Sequence, residues 1–440
     1  MHPTDKSDII KMPQGTLTAR DRRETERVFM ADCREMKTPE KNYKRTLTAC
    51  YLGFVTQAIS ANFAPLLFLT FQKTYGVSLS RIALISAFFY FTQLLVDLIC
   101  AKLVDRMGYR LSVVLSEIAS AAGLAGLAFL PQLLPDPFVG ILLCVIVYAL
   151  GSGLIEVLVS PIVEACPFPN KESTMSLLHS FYCWGSLAVI LGSTAFFAVF
   201  GTGHWRVLAC LWALVPLYNI YNFAVCPIEK LVEDGKGMSV AELLRNRLFW
   251  RLCILMVCAG ASELAMAQWA SAFTESALHV SKTVGDLAGP GLFAALMGIS
   301  RVLYGRYGEK WELTAFMSVS GILCLGCYLL AALAGLPALG LAGCALCGFS
   351  VGIMWPGSIS ISAKAMPTGG TALFALLALA GDLGGSVGPA LVGAVSQVTG
   401  GGLKSGLLGG MIFPVILTIT VLTLRHDRNN RKSDPNMDRQ

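Results

Sequence analysis

The chain alternates between long apolar stretches and short segments rich in charged and turn-forming residues. Each apolar stretch is about 20 residues or longer, which is the length that an α-helix needs to cross a hydrocarbon layer about 30 Å thick. The pattern predicts an all-α membrane protein with twelve transmembrane helices. The predicted spans are 47–71, 80–101, 111–131, 138–164, 174–200, 206–226, 250–274, 283–304, 313–334, 337–363, 368–397 and 404–424.

The ninth and tenth spans are predicted from one uninterrupted apolar stretch. Residues 313–363 contain no Asp, Glu, Lys or Arg, and at 51 residues they are too long for a single span. The sequence Gly335-Leu336-Pro337 interrupts the stretch, and Gly close to Pro favours a turn. We therefore expect two helices joined by a minimal hairpin.

Cationic residues are distributed unevenly between alternate loops. If both ends of the chain lie on one side, 29 of the 34 Lys and Arg residues are in segments on that side. The five on the other side are Lys73, Arg81, Arg206, Lys282 and Lys404. Because cationic short loops stay in the cytoplasm, we expect both termini to be cytoplasmic. Residues 1–45 lack the features of a signal peptide, so the first span is expected to direct insertion, and we predict a plasma-membrane protein.

Composition narrows the possible classes of function. Hydrophobic residues make up 55% and charged residues 14% of the chain, against roughly a quarter charged in a soluble domain, which excludes a soluble enzyme. The net charge of +6 does not indicate a nucleic-acid partner, because the cations lie at the two ends and in short loops. No P-loop and no nucleotide-binding glycine fingerprint is present in the sequence, so we expect no cofactor and no ATP hydrolysis.

Two pairs of cysteines match the spacing of a zinc ribbon, Cys324-x-x-Cys327 and Cys344-x-x-Cys347. Both pairs lie in uncharged apolar helices, where thiolates would be buried without support from a cation or a His. We interpret these cysteines as small packing residues and predict no metal site. The sequence also contains no evident nucleophile and base that would converge, so it does not indicate an enzyme.

Three local patterns recur at equivalent points of the first and last six spans. The pairs are Arg106 and Gly108 with Arg306 and Gly308, Gly153 to Pro161 with Gly348 to Pro356, and Gly185 and Gly192 with Gly381 and Gly388. A doubled membrane chain commonly places its binding site between the halves. The sequence therefore predicts two pseudo-symmetric six-helix bundles. The predicted segments are a cytoplasmic polar segment 1–45, a bundle 46–226, a cytoplasmic linker 227–249, a bundle 250–425 and a cytoplasmic tail 426–440.

The turn after the second span resembles the signature of the major facilitator superfamily. It reads Asp105-Arg106-x-Gly108-x-Arg110, with Ala101 in place of the usual leading Gly. The resemblance covers about residues 46–425. It implies the major facilitator fold and transport by alternating access.

Within that superfamily, the fourth, tenth and eleventh spans resemble the fucose:proton symporter family. The shared positions are Glu156 and Pro161, then Ile353-Met354-Trp355-Pro356 with Ser360 and Lys364, then Gly384-Gly385-x-x-Gly388-Pro389. Ser160 stands where that family has Asn. The family also has an acidic residue shortly before a Pro in the first helix, whereas Pro65 follows Ser60, Ala61 and Asn62 without a carboxylate. Sugar specificity and proton stoichiometry therefore do not carry over.

Two carboxyl groups at membrane depth are the candidates for proton coupling, because such groups are costly unless they meet a partner or water. Glu156 lies about 12 Å deeper in the fourth span than Glu164, on the same helical face. The alternative for Glu156 is a permanently hydrogen-bonded structural carboxyl. Asp382 in the eleventh span is either a second titrating or substrate-binding group, or is neutralised by Lys364.

The charged turn and its repeat are the candidate gating region. The resemblance implies that Asp105 faces the positive N-terminal end of the eleventh helix. Glu164 is expected to form an ion pair with Arg106 or Arg110. The alternative is a solvated cationic loop that only fixes topology. The gating candidates are Asp105, Arg106, Gly108, Arg110, Glu164 and Arg306.

The candidate substrate-binding residues are polar or aromatic groups of the first, fourth, fifth, seventh and tenth spans. The resemblance implies that the first, fourth, seventh and tenth helices surround a central cavity, and His179 and Tyr182 share one face of the fifth span. Amides and carboxyls bind hydroxyls, and an indole packs on the C–H face of a sugar. The candidates are Gln57, Asn62, Ser160, His179, Tyr182, Glu263, Gln268 and Trp355. His179 is alternatively a packing residue, and Trp269 is interpreted as an interfacial anchor.

Three functions are compatible with these features. The first is a proton-driven symporter that imports a small hydroxylated solute such as a sugar, and the second is a proton-coupled antiporter that exports drugs or metabolites. The third, a membrane enzyme or sensor, would need a reactive cluster or a soluble output domain, and the sequence indicates neither. We predict a monomeric transporter whose partners are a small solute, protons and the lipid bilayer.

Overall fold

The computed structural model describes residues 42–77, 79–231, 237–270, 273, 287–400 and 402–433. The chain divides into two units, residues 1–42 and residues 43–440, and the second contains all of the predicted spans. Within the described residues the secondary structure is helical, without a strand. This confirms the predicted all-α class.

The helices follow the predicted order of spans. From the first to the twelfth they are Tyr43–Leu66 with Phe68–Tyr75, Leu79–Met107, Tyr109–Leu127, Pro137–Ala165, Lys171–Phe200, Trp205–Val225, Arg247–Ala267, Leu292–Tyr307, Leu313–Leu333, Pro337–Val351 with Met354–Ala365, Gly370–Thr399, and Gly402–Gly410 with Ile412–Ser433. Short helices Leu130–Leu133 and Val240–Arg245 lie between spans. The predicted spans 206–226 and 313–334 agree with the observed bounds to one residue.

Ten helices among the described residues are long and apolar enough to cross a membrane. The first and eighth of the twelve predicted spans are not among these ten helices. The first, Tyr43–Leu66, carries Lys44, Arg45 and several polar side chains. The described helix of the eighth span, Leu292–Tyr307, has 16 residues and follows residues 274–286, which lie outside the description.

Two spans are broken next to prolines. The first span is interrupted at Leu67, after Pro65, and the tenth is interrupted at Gly352 and Ile353, before Pro356. Proline has no N–H, so it cannot bond the carbonyl four residues earlier, and its ring pushes the preceding turn away. In the tenth span the carbonyl deprived of its partner is that of Gly352.

Close contact between the seventh and eleventh spans depends on glycines. A side-chain carbon on Gly260 would lie 2.2 Å from the carbonyl oxygen of Gly381, and one on Gly384 would lie 2.0 Å from the carbonyl oxygen of Val257. Small residues let membrane helices approach until their backbones touch. The seventh and eleventh spans are thereby fixed against each other within the second half.

The two halves meet at the face where the first span begins and the twelfth ends, which we call the termini face. Glu172 of the fifth span forms an ion pair with Lys364 of the tenth and accepts a hydrogen bond from Tyr304 at 3.2 Å. The hydroxyls of Tyr109 and Thr371 are 2.5 Å apart. These bonds join the first and second halves on the termini face.

The linker between the halves also contacts the second half on this face. The backbone N–H of Met238 donates to the carbonyl of Thr368 at 2.9 Å, just before the eleventh span. Ser239 caps the helix Val240–Arg245 in a reciprocal bond with Glu242, and the hydrogen bonds from Ser239 lower the pKa of Glu242. The boundaries that the sequence predicts for the five segments stay a prediction.

Gly384→Ala is expected to destabilise the protein, because the added carbon cannot fit against the backbone of Val257 unless the two helices move apart. Overpacking of this kind typically costs about 1–3 kcal/mol. Thermal unfolding of the purified protein in detergent measures the effect. Gly326→Ala is the matched control, since nothing lies within 4 Å of a side-chain carbon there. Equal melting temperatures for the two variants would contradict the packing described.

Candidate functional site

A cavity of about 140 Å³ lies between the two halves. Its lining residues come from eight spans, four in each half: Phe54, Gln57, Ala61, Tyr90, Gln93, Glu156, His179, Tyr182, Glu263, Leu264, Arg301, Trp355 and Asp382. Seven of the predicted site residues are on this list: Gln57, Glu156, His179, Tyr182, Glu263, Trp355 and Asp382.

Glu156 is held by two amide groups from neighbouring helices. The Nε2 atoms of Gln57 and Gln93 each donate to its Oε2 at 2.9 Å, which joins the first, second and fourth spans. The side-chain carbonyl oxygen of Gln57 is buried and receives no donor among the described residues. Gln93 was not predicted, although an amide within the predicted second span is a signal of the same kind as Gln57.

Arg301 lies at the cavity, and this corrects the sequence analysis, which counted it among the loop cations. It is 3% exposed, and its Nη2 is 3.3 Å from Oε2 of Glu263. Its Nε donates to the carbonyl of Gly352 at 2.8 Å, which is the carbonyl that Pro356 leaves without a helical partner. The break in the tenth span therefore supplies an acceptor for a buried cation.

Arg301 also connects the second half to the fifth span. Its Nη1 donates to the carbonyl of His179 at 3.0 Å and contacts Sγ of Cys183 at 3.1 Å. The Nε2 of His179 is 3.2 Å from the hydroxyl of Ser160, and its ring lies 4.7 Å from that of Phe54. Ser160 therefore contacts His179 and is absent from the lining of the cavity, so its role in substrate binding stays a prediction.

Two further substrate-binding predictions are not supported by the geometry. Asn62 donates to the hydroxyl of Ser186 at 3.1 Å and is absent from the lining, and Gln268 is exposed beyond the end of the seventh helix. Each lies five residues after a lining residue, Gln57 or Glu263. Five residues turn an α-helix to a direction about 140° away, which points the later side chain out of the cavity.

Asp382 is not neutralised by Lys364, because Lys364 pairs with Glu172. Its carboxyl instead lies beside the carboxyl of Asp97 in the second span. Asp97 is 0% exposed and was not predicted. An acid within the predicted span 80–101 is the same signal that identified Glu156, so the sequence offered a means of finding it.

A second unpredicted acid lies away from the cavity. Glu117 of the third span is 0% exposed and accepts hydrogen bonds from Thr56 at 3.0 Å and Asn219 at 2.7 Å. It therefore joins the third span to the first and sixth. An acid inside a span thus marks either a cavity or a structural junction, and the sequence does not distinguish them.

The gating predictions have mixed outcomes. The side chains of Asp105 and Arg106 lie outside the described residues. Glu164 does not pair with Arg110 but with Lys171, 3.7 Å away, because Arg110 donates its N–H groups to the last carbonyls of the sixth span. This places a cation at a helix C-terminus, where the helix dipole favours it.

The two charged turns of the internal repeat differ in backbone conformation. Gly108 has φ +84°, in the region that favours glycine, whereas Gly308 has φ −60° and ends the eighth helix in a right-handed turn. Arg306 is exposed beside it. The sequence repeat at these positions therefore does not extend to equal local geometry.

The comparisons with known proteins agree with this architecture. The family profile described as Major Facilitator Superfamily matches residues 49–389. No curated protein sequence matches the chain. The E. coli fucose:proton symporter FucP is similar in structure, with 16% identity, a TM-score of 0.74 and coverage of 87% of this chain and 98% of that one.

Two other solved structures are similar over an equal share of the chain. The proton:xylose symporter XylE, bound to 6-bromo-6-deoxy-D-glucose, has 11% identity, a TM-score of 0.72 and coverage of 87% of this chain and 95% of that one. The human organic anion transporter MFSD10 has 17% identity, a TM-score of 0.66 and coverage of 87% and 100%. At identities this low, the similarity shows the fold but not the substrate.

Arg301→Gln is expected to destabilise the protein more than the double change Arg301→Gln with Glu263→Gln. The single change leaves the Glu263 carboxylate beside the cavity without its cation, and breaking a buried pair on one side typically costs about 3 kcal/mol or more. The double change removes both charges, so its cost is limited to the lost hydrogen bonds to backbone carbonyls. Thermal unfolding at neutral pH measures both. A double variant that is no more stable than the single one would argue against the ion pair.

Proposed function

Because the chain belongs to the major facilitator superfamily, a family of membrane transporters, we propose that it is a proton-coupled symporter of a small hydroxylated solute such as a sugar. The observation that carries the proposal is the polar cavity between the halves, in which Glu156 is bound by two amides. In this proposal Glu156 and Asp382 bind the coupling protons, and the solute occupies the same cavity.

Coupling follows from the way in which Glu156 is held. A carboxylate accepts hydrogen bonds more strongly than a neutral acid does. A proton that binds Glu156 therefore weakens its hold on the amide N–H groups of Gln57 and Gln93. These groups then become available to the hydroxyls of a solute. Protonation thus prepares the cavity for the solute, and solute binding retains the proton.

The remaining lining groups fit a hydroxylated solute. Tyr182 and His179 offer hydrogen bonds from the fifth span, and the Trp355 ring offers an apolar face on the other side. The small volume, about 140 Å³, suits a small solute rather than a polymer or a long lipid. The structural similarity to symporters of fucose and xylose supports the same class of solute.

Alternating access requires that the contacts on the termini face break when the other side closes. Those contacts are the bonds of Glu172 with Lys364 and Tyr304, and the bond between Tyr109 and Thr371. A ligand can drive this exchange only if it binds the two forms with different affinity. Gly108 and Arg110, with Asp105, Arg106, Glu164 and Arg306, are proposed to form the moving boundary on this face.

The proposed setting is the plasma membrane, with both termini in the cytoplasm and the transporter acting as a monomer. The uneven distribution of cations between the two sides supports this orientation. The distribution stays uneven when the buried Arg301 is no longer counted among the loop cations. The termini face is then the cytoplasmic face. The proposed functional units are the two bundles at residues 46–226 and 250–425.

A second candidate is a proton-coupled antiporter that exports cationic drugs or metabolites. Three lining carboxyls, Glu156, Glu263 and Asp382, face one cation, Arg301, each of whose three nitrogens binds a protein atom. An excess of carboxyls together with aromatic rings suits an organic cation, because ring faces attract positive charge. The same charge balance disfavours an anionic solute.

A transport screen in proteoliposomes separates the two candidates. Sugars, nucleosides and cationic dyes are tested under an imposed pH gradient. The symporter is expected to accumulate a neutral hydroxylated solute on the side that the protons enter. The antiporter would move a cation in the opposite direction to the protons. Transport that ignores the pH gradient for every solute would exclude both.

Glu156→Gln is expected to abolish pH-driven uptake of the solute identified in the screen while counterflow exchange continues. An amide at this position retains the shape of the side chain but cannot bind and release a proton. Uptake and counterflow are measured in the same proteoliposomes. Glu309→Gln, at an exposed carboxyl after the eighth span, is the matched control and should transport as the unmodified protein does. Full gradient-driven uptake by the Glu156 variant would refute its role.

A further inference from the structure

Two carboxyl groups, those of Asp97 and Asp382, lie beside each other where the two halves meet. Asp97 lies on the second span, in the first half, and Asp382 lies on the eleventh span, in the second. These two spans pack against each other across the boundary between the halves. The two acids therefore lie at the boundary at which the halves must move during transport.

No hydrogen-bond donor among the described residues reaches Asp97. It is 0% exposed, and neither of its carboxyl oxygens receives an N–H or hydroxyl donor from the described residues. Two carboxylates cannot form a hydrogen bond with each other, since each only accepts. A bond between these groups therefore requires a proton on one of them.

The ionisable groups around the pair do not supply a positive charge to Asp97. Tyr90 and Cys100 lie on its own span, and Glu156 faces it from the fourth span. On the side of the second half, Glu263 and Arg301 form their own ion pair in the cavity. Lys364 of the tenth span is engaged by Glu172. Among the described residues, a proton is the remaining source of positive charge between the two acids.

We infer that Asp97 and Asp382 share one proton and that this proton fastens the second span to the eleventh, as a latch between the halves. The inference rests on the proposed proton coupling and deepens it by naming Asp97 as a positioning residue. Asp382 also lines the cavity, so the shared proton has a path to water there. Glu156 lines the same cavity.

Opening of the latch is a single proton transfer. The O–H bond of the shared proton breaks, the proton passes to a water molecule in the cavity, and two carboxylates remain face to face. They repel each other, since none of the described cations lies between them, and the second and eleventh spans separate. Binding of a proton from the cavity reverses the step and restores the bond.

Amide hydrogen exchange in lipid nanodiscs, without any solute, tests the latch separately from transport. Exchange in the second and eleventh spans is measured from acidic to alkaline pH and corrected for the intrinsic pH dependence of exchange. For release of one proton, the opening equilibrium rises by up to about tenfold per pH unit. We expect this rise in the unmodified protein and its absence in both Asp97→Asn and Asp382→Asn, because an amide donates to the remaining carboxylate at every pH.

Glu117→Gln is the matched control, since it changes an equally buried carboxyl outside the cavity. It should retain the pH-dependent rise in the second and eleventh spans. Either Asp variant alone suffices for the test if the other does not fold. A rise that persists in the Asp variants, that is absent from the unmodified protein, or that Glu117→Gln also removes would overturn the latch. Loss of pH-driven uptake in Glu156→Gln with an intact latch response would instead bear on the proposed function alone.

Discussion

The structure depends on one constraint, which is that a polar side chain at membrane depth has to find its partners within the protein. Lipid offers no hydrogen bonds, so an unpaired carboxyl or guanidinium in a span is costly. Glu156 is satisfied by amides from two other helices, Glu117 by two other helices, and Arg301 by groups on three. Each buried polar group therefore fixes the relative positions of the helices around it.

The same constraint accounts for the broken tenth helix beside the cavity. A proline leaves one carbonyl without a helical partner, and that carbonyl becomes an acceptor for another part of the molecule. In the tenth span Pro356 frees the carbonyl of Gly352, which then binds Arg301. The cation in turn binds Glu263 and the carbonyl of His179 in the opposite half. A local defect in one helix thus supports a cross-link between the halves.

These cross-links differ in how readily they can be exchanged. Packing of the seventh span on the eleventh is backbone to backbone at Gly260 and Gly384, so these helices are expected to move as one body. Contacts between the halves on the termini face depend instead on side chains such as Glu172 and Tyr109, which can be replaced by water. Rigid halves joined by exchangeable side-chain bonds are what alternating access requires.

The apolar stretches and the turn-forming residues between them determined the number of spans, most of their bounds, the hairpin after Leu333 and the presence of Glu156 within a helix. They could do so because the partition of a segment between water and lipid depends on its local sequence. Tertiary structure decided which polar groups converge. Asn62 and Gln268 point out of the cavity, Arg301 lines it, and Asp97 is buried beside Asp382; each outcome depends on how the helices are rotated and packed. A sequence lists the polar groups that need partners, but only the packed helices establish which partner each one meets, since the nearest donor in space is seldom the nearest in sequence.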